Sequence, residues 1–186
     1  MQAGAPVTVK DKRGSSTVEW ACWCNKHTIG EYLIQMGADK NHADRLNGNP
    51  PLFSALTSQA YECLEMLLSH GVDVLHVSNT GSTVLHWMAR SGDARMLRIM
   101  QSRKLQFEKV DTSSRDCSGR TAAEVLQSTR CSESFRLEFM QFLHDLTSLQ
   151  TVRSSQIEKA NTPEKAEGGF RTRARCGYMT KGLFYT

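Results

Sequence analysis

The stretch "GSTVLHWMARSGD", Gly81–Asp93, sets a histidine beside a tryptophan directly after a Gly-Ser-Thr turn. Its opening has a counterpart in "GNPPLFSAL", Gly48–Leu56, with Gly48 and Gly81 separated by 33 positions. Two endings match as well: "LIQMGADKNHAD", Leu33–Asp44, and "LLSHGVDVLHVS", Leu67–Ser78, whose glycines Gly37 and Gly71 are 34 apart. Turn, short helical run, turn and longer helical run, returning at this period, is the pattern of a stacked helical repeat array.

The register follows from one turn residue per unit: Ser16, Pro50, Thr83 and Thr121. Two positions later stand Val18, Leu52, Leu85 and Ala123. Five and six positions later stand Ala21 and Cys22, Ala55 and Leu56, Met88 and Ala89, and then Leu126. Apolar residues at this spacing fill one face of a helix, and the small ones fall where helices must approach closely. The apolar pairs Leu33–Ile34 and Leu67–Leu68 mark the second helices, and Cys63 shares their inward stripe. Phe135, Phe139, Phe142, Leu143 and Leu146 predict a longer closing helix.

These motifs resemble the ankyrin repeat, whose signature is G-x-T-P-L-H-x-A followed by G-A-D-V-N. The resemblance covers roughly Gly14 to Leu146 and rests on "GSTVLHWMA", "GNPPLFSALT", "MGADKN", "HGVDV" and "DCSGRTAAEVL". It implies an all-α solenoid of about four helix–turn–helix units, with turn "fingers" along one edge and degenerate caps at both ends. The expected units are 14–47, 48–80, 81–118 and 119–149, after a flexible leader 1–13 and before a basic, disordered tail 150–186. A helix in that tail is expected to reach only about Lys159. Three departures stand out. The first unit has Ser16-Thr17-Val18-Glu19 for T-P-L-H. The third lacks the Gly-Ala-Asp ending and shows Lys104-Leu105-Gln106. A polar insertion lies within "FEKVDTSSRDCSG", a composition that reads as loop.

The bulk numbers bound the function. No apolar run approaches the ~18 residues that span a bilayer, and the first twenty residues do not read as a secretory signal. Six irregularly spaced cysteines in 186 residues suggest free thiols rather than a disulfide framework. The net charge of +4 sits entirely in Thr151–Thr186, where seven basic residues face three acidic ones. The expected location is therefore cytoplasmic, with nuclear entry through "RTRARC" as an option. Nucleic acid is not an expected partner of the nearly neutral body; a regulator that uses its basic tail on nucleic acid is a third option.

Candidate chemistry reduces to scaffolding. His86 falls on the histidine of T-P-L-H, which the resemblance assigns to hydrogen bonds within the turn. "CWCNKH", Cys22–His27, has C-x-C spacing rather than the wider spacing of zinc sites, and its two cysteines should point apart. No H-E-x-x-H, G-x-S-x-G or phosphate loop is present. No catalytic residue, metal or cofactor is expected.

What the resemblance implies instead is a binding surface, the concave face of finger tips and first helices. Carried over position by position, it gives Trp20, Ser54 and Trp87, then Trp23, Thr57 and Arg90, then Cys24, Ser58 and Ser91. The finger positions give Leu46, Asn47 and Asn49, then Asn79, Thr80 and Ser82, then Cys117, Ser118 and Arg120. All three tryptophans of the chain land on this face. Tryptophan and arginine dominate interface hot spots. The expected partner is another protein, engaged as an extended segment by a monomer. "VLHWMARSGD" and "VEWAC" also resemble the ankyrin domain of DHHC-type protein S-acyltransferases, which implies, as a second option, the substrate-recruiting part of such an enzyme.

Overall fold

The computed structural model describes residues 6–161. Eight α-helices run α1 Thr17–Trp23, α2 His27–Gln35, α3 Pro51–Thr57, α4 Tyr61–Ser69, α5 Val84–Ser91, α6 Ala94–Ser102, α7 Ala122–Ser128 and α8 Glu133–Asn161. A 3-10 turn, Lys104–Phe107, follows α6. Among the described residues there is no strand; Lys10 and Ser16 form an isolated bridge.

Each register residue starts a first helix. Ser16, Pro50, Thr83 and Thr121 are the N-caps of α1, α3, α5 and α7, each with extended backbone. An extended N-cap turns the chain sharply into the helix, and at Ser16 and Thr121 the side-chain oxygen also accepts a first-turn N–H. The first helices form one layer, with α1 against α3, α3 against α5 and α5 against α7. The second helices form the other, with α2 against α4, α4 against α6 and α6 against α8. Ala55 and Ala89 are fully buried between first helices. Val18, Leu52 and Leu85 fill the space beneath them.

The insertion in the third unit is bridged from α8. Phe107 is fully buried and meets Phe142 edge-on at 6.3 Å. Gln150 Nε2 donates to the carbonyls of Glu108 and Val110, both at 2.9 Å, and Arg153 pairs with Glu108 at 2.9 Å. The boundary expected at 150 therefore falls inside a helix that extends to Asn161. The physical reason is that residues 150–153 satisfy carbonyls of the insertion. Residues 162–186, with "RTRARC" and Cys176, lie outside the described residues. At the other end α2 leaves apolar side chains outside: Ile29, Tyr32 and Met36 are each more than half exposed.

Four fingers repeat one hydrogen-bonded device. An Asp or Ser side chain caps the turn: Asp11, Asp44, Ser78 and Asp116 each accept backbone N–H groups from two to five residues later. Gly14, Gly48, Gly81 and Gly119 close the turns at positive φ. At Gly81 a Cβ would also sit 3.1 Å from the Arg115 carbonyl of the next finger, so both conformation and contact require glycine. Adjacent fingers are linked by Arg45 N–H to Arg13 O, Asn79 N–H to Asn47 O and Cys117 N–H to Thr80 O. Asp11 and Arg13, assigned by sequence to the flexible leader, belong to the first finger.

His86 is scaffolding. Its Nδ1 accepts from Thr83 N–H at 3.2 Å within a capping box. Its Nε2 lies 2.9 Å from the Arg120 carbonyl, which fixes the proton on Nε2 and ties the third unit to the fourth. His42 and His76 bridge units in the same way, to Gly14 O and Gly48 O. We expect His86→Ala to cost about 2 kcal/mol in urea unfolding, since a buried carbonyl and a helix N-terminus both lose a partner.

Candidate functional site

The fingers and the first-helix layer enclose a groove made of two joined clefts. The larger, about 330 Å³, is lined by Trp20, Trp23, Leu46, Asn47, Asn49, Ser54, Thr57 and Trp87 of the expected set. The smaller, about 240 Å³, is lined by Trp87, Arg90, Ser91 and Thr57, so Thr57 and Trp87 join the two. Arg13, Ser15, Glu19 and Asp44 complete the larger cleft, and Leu56 and Gln59 the smaller.

The tryptophans differ in role. Trp20 and Trp23, one turn apart on α1, are each about half exposed. Trp20 Nε1 donates to Asp11 Oδ2 at 3.2 Å, which orients its ring. Trp87 is partly buried against the core, 5.8 Å from Phe53, with the Arg90 guanidinium 5.4 Å above its ring. Trp87 therefore both stiffens the stack and lines the groove.

The other expected residues, Ser58, Asn79, Thr80, Ser82 and Arg120 with Cys24, Cys117 and Ser118, line neither cleft. Ser58 Oγ donates to Ser54 O within α3, Asn79 Nδ2 to Leu46 O, and Thr80 Oγ1 to Ser82 Oγ. Arg120 is held by Asp116 at 3.2 Å. Ser82 is a correction: it is fully buried, with its N–H on Ser78 Oγ. A small residue at a finger position supports the turn here and presents nothing outward. Of the cysteines beside the groove, Cys22 is buried and Cys24 exposed, so the two do not converge with exposed His27. Cys22 and Cys63 lie together in the core, where mutual hydrogen bonding and burial push the Cys22 thiol far up. Among the described residues no three His, Cys, Asp or Glu side chains are grouped to hold a metal.

Asp116 organises the far end of the groove. Its carboxylate, fully shielded from solvent, accepts from Ser118 N–H (2.9 Å) and Arg120 N–H (3.0 Å), and pairs with Arg90 (3.1 Å) and Arg120 (3.2 Å). Burial works to raise its pKa, but the backbone N–H groups of Arg120 and Ser118 and the Arg120 guanidinium outweigh it and hold the group below the usual value. A lowered native pKa gives stability that is complete above the unfolded value and is lost as pH falls through the native one. Asp116→Asn should therefore cost about 2 kcal/mol at pH 7, with the gap to wild type closing in urea titrations as the pH falls below the ordinary carboxylate range.

Three polar atoms in the larger cleft are closed to solvent without a hydrogen-bond partner: Glu19 Oε2, Asn49 Oδ1 and Trp87 Nε1. Buried polar atoms are nearly always paired, so three orphans in one cleft match a site that a bound molecule completes. A family model described as ankyrin repeats (3 copies) matches residues 1–78. Alpha-latroinsectotoxin-Lt1a of Latrodectus tredecimguttatus is 29% identical over 134 residues, 70% of this chain and 9% of that protein. The chain thus spans less than a tenth of that relative. Among the described residues no helix is long and apolar enough to cross a membrane.

Proposed function

We propose that the chain, whose residues 1–78 match a family model described as ankyrin repeats, acts as a non-catalytic interaction module that receives an extended segment of a partner protein in the groove between its fingers and first helices. Ankyrin repeats as a class bind proteins, and the groove supplies the local chemistry. The observation that carries the reading is the convergence of all three tryptophans on one cleft that also holds three unpartnered polar atoms. Half-exposed aromatic rings offer apolar contact at low conformational cost, and orphaned donors and acceptors offer pairing to a peptide backbone or side chain.

A flat apolar surface would bind without direction. Here Trp20 and Trp23 lie beside finger residues Leu46, Asn47 and Asn49, so a segment laid along the groove meets rings on one side and amides on the other. The test is selection of twelve-residue peptides displayed on phage by the full chain, with selected peptides titrated against Trp20→Ala/Trp23→Ala and against Tyr32→Ala on α2. Loss in the tryptophan variant and retention in Tyr32→Ala supports the groove. Equal affinity in all three proteins removes it.

A further inference from the structure

The groove contains a carboxylate whose local role in the helix has been given up. Ser16-Thr17-Val18-Glu19 has the spacing of a capping box, in which the fourth residue returns to the N-cap N–H. In α7 the box closes: Glu124 Oε2 accepts from Thr121 N–H at 2.7 Å. In α1 only half of it forms. Ser16 Oγ accepts from Glu19 N–H at 3.1 Å, but the Glu19 carboxylate leaves the helix end and enters the cleft. There Oε1 accepts from Ser54 Oγ of the next unit at 3.2 Å, and Oε2 has no partner. Burial holds the Glu19 pKa above the ordinary value and the Asp44 carboxylate adds to this, against the hydroxyls of Ser15 and Ser54. Asp44 itself is committed to three finger N–H groups. The lining therefore carries two carboxylates against the single cation Arg13.

Aromatic faces stand beside this charge. Trp23 follows Glu19 on α1 at four residues' spacing, which puts the two on one helix face; Trp20 lines the same cleft, and both rings are about half exposed. The same groove already seats a cation on a tryptophan: Arg90 lies 5.4 Å over Trp87. Cations are drawn to indole faces, more strongly where water is excluded.

Resting on the groove reading above, we propose that the partner segment is anchored by an N–H-bearing cation, a lysine or arginine side chain, stacked against Trp20 and Trp23 and hydrogen-bonded to the half-buried Glu19 carboxylate. Rings alone would accept any cation. The carboxylate selects one that can donate, so a trimethylated lysine fits the rings and fails the carboxylate.

The test uses the full chain and immobilised pools of random nonapeptides with a fixed central residue: lysine, arginine, trimethyl-lysine, methionine or glutamate. Lysine and arginine pools should retain the protein at least tenfold better than the methionine and glutamate pools, and several-fold better than the trimethyl-lysine pool. Glu19→Gln should abolish this preference while melting at or above the wild-type temperature, because it removes a charge that burial disfavours. Equal retention of the methionine pool overturns the cation, and equal retention of the trimethyl-lysine pool overturns the Glu19 contact. A lysine preference that survives in a folded Glu19→Gln protein does the same. If pools bind without regard to the centre but Trp20→Ala/Trp23→Ala releases them, the anchor is wrong and the groove stands. If no pool binds, both fall.

Discussion

Phe142→Ala should lower the unfolding free energy by about 4 kcal/mol, the largest single stability effect expected in the chain. Phe142 is buried to 1% and meets fully buried Phe107 edge-on, while Phe135 and Phe139 stack at 5.8 Å beneath it on α8. The third unit has no Gly-Ala-Asp ending, so the 3-10 turn at Lys104–Phe107 depends on α8 for its closure. Removing the ring leaves a cavity where backbone connections on both sides prevent collapse. In a repeat array such damage is felt first by neighbouring units. Hydrogen exchange should therefore quicken in α6–α8 more than in α1–α3. A loss below about 1 kcal/mol in urea titrations would mean that α8 is not part of the core.

The second large effect concerns binding. Trp20→Ala/Trp23→Ala should weaken a selected peptide by a hundredfold or more, since two hot-spot aromatics are worth about 2 kcal/mol each. Both rings are half exposed, so the melting temperature should fall by only a few degrees. Trp87→Ala is a poorer probe. Its ring packs on Phe53 and under Arg90, so loss of binding would be mixed with loss of stability. The double variant separates the two. Wild-type affinity in a folded Trp20→Ala/Trp23→Ala protein would remove α1 from the site.

The repeat frame was legible because its determinants are local and periodic. Ser16, Pro50, Thr83 and Thr121 all prove to be N-caps, and the apolar positions counted from them are core, except Ala123, which is half-buried. The finger carboxylates were missed, although D-x-x-G precedes the caps in "DKRGS" and "DCSGR", with a longer form in "DRLNGNP". That recurrence was the available signal. The tryptophans were assigned to the groove by the register together with the ankyrin resemblance, and all three line the larger cleft. Glu19 was not named as a site residue, because its sequence context is that of a helix cap. Whether such a glutamate turns back to its own helix or outward depends on Ser54 in the neighbouring unit, a contact 35 positions away. Ser82 fails for the same reason: a finger position tells where the backbone goes, and burial depends on the next finger.

The most direct test of the groove uses the three tryptophans as reporters, since the chain has no others. In a nitrogen-15 labelled sample they give three indole N–H signals, and titration with a selected peptide should shift all three. The unpartnered Trp87 Nε1 should move markedly as it gains an acceptor. A peptide that binds tightly while all three indole signals stay in place would contradict the account.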